Sequence, residues 1–286
     1  MKQKVNLENK YKILILSNPN NYEYIEDRYI ANSFKEDGHL VELACIDYDE
    51  KLDDKYDVTI RRNTWVEDEK DTYNYEMKNE KLKERLINKN VKTVNLEGLD
   101  GKGKQYLCDL FKEGKKVIPT IDSLNELDKL PHSEYYVLKD KNSYGSGLGQ
   151  RIVKANKLKS EFKIGDIIQP KLEFKSEVEC HFVADKLMYV CEYTPSKYPN
   201  YPDPKLIEIN QKEKELVYEF AKISNLKVGF QRIDFLRLEN DELILLEIED
   251  NSPHMNLELL TGAFRNKVID EYKKNIYQYI KGNIKG

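Results

Sequence analysis

The 286-residue chain is poor in the residues that announce the commonest chemistries. Its cysteines (Cys45, Cys108, Cys180 and Cys191) are widely spaced and form no CxxC pair. That spacing argues against a zinc site or a disulfide framework and fits reduced thiols in the cytoplasm. The histidines (His39, His132, His181 and His254) are equally scattered. No HExxH, GxSxG or Walker-type GxxxxGK occurs, so those chemistries have no anchor. No apolar run approaches the roughly 20 residues that cross a bilayer, and no basic-then-apolar leader opens the chain. No membrane association is expected. Charge of one sign is also lacking: 47 Lys+Arg against 51 Asp+Glu leaves a net of −4. That balance excludes a nucleic-acid protein built on a broad basic surface.

What is present points to a globular protein. Charged residues make up 34% of the chain and hydrophobic residues 40%. A chain of this length forms one large domain or two modest ones and buries roughly 70–75% of its unfolded surface. Those proportions argue against disorder, collagen and coiled coil.

The first hundred residues alternate between strand and helix signals. Lys12–Ser17 is a short apolar run of the buried-strand type, followed by turn residues Asn18-Pro19-Asn20-Asn21. Helical spacing over Asp27–Asp37 ends at Gly38, and strands are expected at His39–Ile46, Tyr56–Ile60 and Val91–Asn95. A further helix fits Tyr75–Asn88. This order predicts a parallel sheet with crossover helices over residues 1–98, a small Rossmann-like unit without GxGxxG after its first strand. Residues 98–103 (GLDGKG) break the composition. Beyond them come a helix at Lys104–Lys112, a strand at Val117–Thr120, a β-rich stretch from Tyr135, a proline-rich loop at Thr194–Lys205 and a helix at Lys212–Ser224.

Gly229–Pro253 is the most informative stretch. Two apolar strands flank the turn cluster Glu239–Glu242, the pattern of an antiparallel hairpin. Setting Leu238 opposite Leu243 pairs Leu236 with Leu245, Asp234 with Glu247 and Arg232 with Glu249, all on one face. Ile233, Phe235, Ile244, Leu246 and Ile248 then make an apolar opposite face, as in a strand pair covered on both sides. Opposed residues have Cβ atoms roughly 4.5–5.5 Å apart, and like charges there repel. Arg232 neutralises one acid; the others suit Mg²⁺, a hard ion held by carboxylates and phosphate oxygens. The alternative is an exposed hairpin end with an ordinary Arg232–Glu249 pair. A second candidate is Tyr135–Val153, where Gly145, Gly147 and Gly149 alternate in a loop whose amides could cradle a polyphosphate beside Lys139. A flexible surface hairpin accounts for the same glycines.

In order, these pieces resemble the ATP-grasp superfamily, which includes glutathione synthetase, D-alanine–D-alanine ligase and ribosomal-protein glutamate ligases. They are similar in particular to its branch containing the D-cycloserine-biosynthesis ligase. The resembling elements are Arg62-Asn63-Thr64-Trp65, Lys104-Gln105-Tyr106-Leu107, Ile118-Pro119-Thr120, Val137-Leu138-Lys139-Asp140 with the glycine loop, Ile168-Gln169-Pro170, Arg232-Ile233-Asp234 and Glu247-Ile248-Glu249. They span residues 57–260. The resemblance implies an α/β (α+β) ATP-grasp fold: an N-terminal Rossmann-like pre-ATP-grasp domain at 1–98 and an ATP-grasp domain at 99–286. The latter would carry a glycine-loop lid at about 132–170 and a C-terminal antiparallel-sheet subdomain.

It further implies a ligase that activates a small-molecule carboxylate as an acyl phosphate and joins it to an amine, as a monomer or homodimer. ATP would be held by Lys104, Lys139, Ser143, Gly145, Ser146, Gly147, the hinge Gln169, Lys171 and Leu172, and the ribose-binding acid Glu177. Asp234, Glu247 and Glu249 would hold Mg²⁺ (one or two ions, with Mn²⁺ as an alternative). Arg232 and Lys139 would be the catalytic cations. Arg62, Lys197 and Tyr198 are candidate substrate contacts, although Arg62 and Trp65 fit domain packing as well. Several positions depart from the family pattern: Asp140 replaces proline, Glu249 stands where many members have Asn, and Ser252-Pro253 stands where the branch tends to Glu-Pro. Glu179 replaces the common arginine after the hinge. A small-molecule kinase and a non-catalytic nucleotide-binding protein are the competing readings.

Overall fold

The apolar run at the start of the chain becomes the centre of a sheet covered on both faces. In the computed structural model, residues 10–18, 24–62, 64, 69–142, 150–194, 204–251 and 253–286 are described, the side chains of 69–77 excepted. The first unit comprises β1 (Lys12–Leu16), α1 (Tyr24–Glu36), β2 (Leu40–Ala44), β3 (Val58–Arg61), α2 (Glu69–Asn88) and β4 (Thr93–Val94). Its strands form a parallel sheet in the order β2-β1-β3-β4. Ile13 and Ile15 face Ile30, Ala31 and Phe34 of α1, while Leu14 and Leu16 face Leu82 and Leu86 of α2. Side chains alternate along a strand, so an unbroken apolar run is what double coverage requires. Gly38 ends α1 at φ +89°, a conformation that favours glycine.

After α3 (Gln105–Lys112), strands β5 (Tyr135–Asp140), β6 (Arg151–Lys154) and β7 (Asp166–Pro170) form an antiparallel sheet, with the short helix α4 (Leu158–Glu161) before β7. Its order is β6-β5-β7. A second antiparallel sheet follows, built from β8 (Phe174–Val183), β9 (Lys186–Tyr193), β10 (Lys205–Ile207), β11 (Phe230–Leu238) and β12 (Leu243–Glu249), in the order β10-β9-β8-β11-β12. Helix α5 (Gln211–Ser224) buries Val217, Phe220 and Ala221 against Phe235 and Ile248. The expected strand at Val117–Thr120 is instead a connector between the two antiparallel sheets. Val117 bridges to Leu245 and Ile121 to Ile168.

The terminal helix α6 (Gly262–Ile280) returns to the parallel sheet and stacks Tyr272 on Phe230, ring centroids 3.9 Å apart. One apolar core thus joins β1, α1, the start of β11 and α6. Among the described residues, no helix is long and apolar enough to cross a membrane.

Candidate active site

The hairpin register at the acidic end matches the expectation: Arg232 faces Glu249 and Asp234 faces Glu247. Towards the turn it does not. A bulge at Leu246 shifts the pairing, so Phe235 faces Leu245, Leu236 faces Ile244 and Arg237 faces Leu243. The physical cause is the apolar demand of the core. With the extra residue accommodated, Leu243 and Leu245 join Ile248 and Ile233 against α5, in place of the expected Ile244 and Leu246. On its other side β11 pairs with β8, setting Arg232 opposite His181, Asp234 opposite Glu179 and Leu236 opposite Glu177. One face of the sheet therefore gathers Glu177, Glu179, His181, Arg232, Asp234, Glu247 and Glu249. Oxygens of Asp234, Glu247 and Glu249 lie within 4.8 Å of one another, as do those of Glu177, Glu179 and Asp234.

Three cations answer this charge. Arg232 grips Asp234 through Nε and Nη2, each 2.9 Å from a carboxylate oxygen, reaches Glu249 at 3.0 Å and donates Nη1 to the His254 carbonyl at 3.1 Å. Lys104 Nζ sits between Asp100 Oδ1 at 2.6 Å and Glu247 Oε2 at 2.8 Å. Burial opposes its charge, but these two carboxylates hold the ammonium well above its ordinary range. Lys139, at the end of β5, is the third; burial and the Lys104 charge push it down while Glu247 pulls it up. Among the described residues it has no carboxylate at salt-bridge distance, whereas Lys104 has two, so its ammonium is the one more able to meet an incoming anion.

The carboxylates divide accordingly. Lys104 and Lys139 overcome burial at Glu247 and hold it down at about 2. At Glu249 burial, with repulsion from Glu247 and Asp100, wins and raises it to about 8. Burial likewise raises Asp234, despite Arg232. A hard divalent cation fits this donor set. The oxygens are close together, all are carboxylate, and Asp234 and Glu249, held above the usual carboxylate range, would shed their protons to a cation of higher charge.

The approach of the lysines depends on backbone geometry. Gly103, at φ +84°, lies so close to β5's exit that a Cβ there would strike the Lys141 carbonyl oxygen. The Lys104 amide donates to that same oxygen at 2.5 Å. The segment before it is clasped by Asp250, which accepts from the amides of Leu99 (2.8 Å) and Asp100 (3.0 Å) and from Ser224 Oγ (2.9 Å). Asp250 follows Glu249 directly, so one residue ties the Lys104 arm to the acidic strand.

The remaining candidates are less concentrated. Gln169 is buried and donates Nε2 to Thr120 Oγ1 at 2.9 Å, and Lys171 and Leu172 follow it in the β7–β8 connection. Glu177 is raised to about 7 by burial and by Glu179. Arg62 is sealed at 0% exposure among Glu26, Asp27 (3.2 Å) and the Pro253 carbonyl (3.1 Å), with its guanidinium 5.0 Å over the Phe230 ring. There it joins the end of β3 to α1 and to the segment after β12. Ser143, Gly145, Ser146, Gly147, Lys197, Tyr198 and Trp65 lie outside the described residues. Sequence reasoning missed Asp100, Asp250 and His254. Only Asp100 left a trace, its i,i+4 spacing to Lys104 at a helix start.

No family model matches the chain, and no curated protein does. Solved structures do. D-cycloserine synthetase DcsG superposes with a TM-score of 0.71 at 15% identity, covering 94% of this chain and 99% of that one. D-alanine–D-alanine ligase from Bacillus anthracis, complexed with ATP, gives 0.68 at 13% identity over 96% of this chain and 100% of that one. The ATP-grasp ligase PsnB, complexed with a phosphomimetic variant of its minimal precursor, Mg and ADP, gives 0.61 at 11% identity over 91% and 98%. A paired arrangement of antiparallel sheets behind a parallel-sheet unit, shared over nearly the whole length of these proteins, is a matter of architecture: this chain has the ATP-grasp fold.

Proposed function

We propose that the protein is an ATP-dependent carboxylate–amine ligase. The observation that carries this reading is the meeting of Lys104, Lys139 and Arg232 around Asp234, Glu247 and Glu249 on one sheet face. That set has cations for a polyphosphate and carboxylates for a metal, in the fold of enzymes named as ligases. Asp234, Glu247 and Glu249 would hold Mg²⁺, with Mn²⁺ as an alternative; the bound ion supplies charge neutralisation at the phosphates.

A substrate carboxylate oxygen attacks the γ-phosphorus, the bond from that phosphorus to the β,γ-bridging oxygen breaks, and ADP leaves. An amine nitrogen then attacks the acyl carbon, the carbon–oxygen bond to phosphate breaks, and the nitrogen gives up its proton to solvent. Such transfer depends on positioning and charge neutralisation rather than on an enzyme nucleophile. Lys139 and Lys104 orient the phosphates, and Arg232 offsets charge on the phosphoryl group in flight. Gln169, Lys171 and Leu172 form the adenine hinge and Glu177 meets the ribose, while Ser143, Gly145, Ser146 and Gly147 close over the phosphates. Residues 1–98 form the Rossmann-like pre-ATP-grasp domain and 99–286 the ATP-grasp domain, in the cytoplasm.

The test is ADP release across a panel of amino acids and small carboxylates, with products read by mass spectrometry. Asp234→Asn should abolish turnover while circular dichroism stays native. Near-normal ADP release by that variant would overturn the metal assignment, and a stable phosphorylated product would identify a kinase.

A further inference from the structure

Arg61 ends β3 at the carboxyl edge of the parallel sheet, beside Leu16 of β1. The strand order β2-β1-β3-β4 sets β2 on one side of β1 and β3 on the other, so the connections diverge between β1 and β3. In open α/β sheets that point, at the carboxyl ends of the strands, is where ligands bind. The next residue, Arg62, is sealed in the core at 0% exposure, whereas Arg61 is only half-buried.

Neutral groups hold the Arg61 guanidinium. Nε donates to Thr64 Oγ1 at 3.1 Å and Nη1 to Asn251 Oδ1 at 2.8 Å, while Nη2 has no hydrogen-bond partner among the described residues. The other half-buried arginines spend their charge inside the protein. Arg85, Arg151, Arg232 and Arg237 each reach a carboxylate at 3.0 Å or closer, and Arg265 lies over the Tyr29 ring. Arg61 has neither kind of partner. A guanidinium oriented by two neutral oxygens, with donors to spare, is pre-organised for the planar, two-toothed grip that fits a carboxylate.

Asn251 ties this arginine to the acidic strand and to the Lys104 arm. It follows Glu249 by two residues, and it sits so close to Gly101 that a Cβ there would lie 3.1 Å from its Nδ2. Gly101 belongs to the segment that leads into Lys104. The carboxylate that takes the phosphoryl group belongs beside Arg232 and Glu249, and two extended residues span at most about 7 Å. An anion on Arg61 is therefore a different group from the one activated, separated from it by the length of a small molecule.

Resting on the ligase reading, we propose that Arg61 binds a second, unreacting carboxylate carried by one of the two substrates. A dicarboxylic acid activated at its other end and an amino-acid acceptor present the same anion there. Asn251 and Thr64 set the angle of the guanidinium that receives it.

The test has an arm for each source. Hydroxylamine, a small neutral nucleophile, traps the activated carboxylate as its hydroxamate. The donor arm compares dicarboxylic acids of three to five carbons with their monoamides, read as hydroxamates. The acceptor arm takes the carboxylate that gives most hydroxamate and compares glycine and alanine with glycinamide and alaninamide, read as ligated product. Arg61→Gln should lower the acid-to-amide ratio of kcat/KM at least about tenfold in one arm, the scale of one hydrogen bond to a charged group, and chiefly through KM. Arg61→Lys keeps the charge and loses the fork, so it should lower the same ratio by less. The arm that responds identifies the substrate carrying the anion. A ratio unchanged in both arms, or a raised KM for ATP in its place, would overturn the assignment of Arg61 while the ligase reading stands. No hydroxamate from any carboxylate would overturn both.

Discussion

Replacing Arg62 by methionine removes the guanidinium that lies between two carboxylates with no access to water. Arg62, Glu26 and Asp27 are each 0% exposed, and the arginine also caps the Pro253 carbonyl at 3.1 Å. Methionine keeps most of the aliphatic stem and its packing on Phe230, so the loss is mainly electrostatic. Glu26 retains the amides of Met255 (3.0 Å) and Leu257 (3.1 Å), which limits the damage but does not replace a positive charge. Breaking a buried pair while leaving its partner charged costs about 3–5 kcal/mol. At roughly 2–4 °C per kcal/mol for a chain of this class, Tm should fall by roughly 6–20 °C. Urea unfolding and a thermal scan measure both quantities. Adding Glu26→Gln and Asp27→Asn should recover part of the loss, because it discharges the stranded acids. A loss below about 1 kcal/mol, coupled to a raised KM for a substrate, would refute the reasoning and make Arg62 a substrate contact.

Two further outcomes follow from the same geometry. Asp250→Ala should destabilise the protein by ~2–4 kcal/mol, since two backbone amides and Ser224 lose a charged acceptor. It should also raise KM for ATP, because the Leu99–Asp100 backbone that leads into Lys104 is no longer clasped at the end of β12; destabilisation with an unchanged KM would limit Asp250 to a structural role. His39 accepts the Tyr11 amide on Nδ1 at 3.1 Å and meets Tyr277 Oη through Nε2 at 3.0 Å, the neutral tautomer, and burial lowers its pKa below 6.5. A depressed folded-state value means the neutral form is favoured on folding. Its contribution is therefore complete above about pH 6.5 and lost as pH falls through that value towards the folded one. Between pH 7.5 and 5, the urea midpoint should fall further in the wild type than in His39→Gln; equal falls would show that His39 does not set the slope.

Much of this was legible in the residues because it depends on period and local chemistry. The run Ile13–Leu16 had to be covered twice, and alternation put Arg232, Asp234, Glu247 and Glu249 on one face without any tertiary information. The bulge at Leu246 was not legible, since no turn residue marks it; only the competition between leucines for the α5 core selects it. The clasp by Asp250 joins segments far apart in the chain, and nothing local distinguishes it from a surface acid. Arg62 was legible as important, but not its surroundings, since Glu26, Asp27 and the Pro253 carbonyl come to it from distant parts of the chain.

The most direct measurement is the fate of oxygen in a single turnover. With the substrate carboxylate labelled with ¹⁸O, attack on the γ-phosphorus carries one labelled oxygen into the acyl phosphate, and displacement by the amine leaves it on inorganic phosphate. Released phosphate should contain one ¹⁸O per ADP formed. ADP formation with all label retained in the organic product would contradict activation of a carboxylate by phosphoryl transfer.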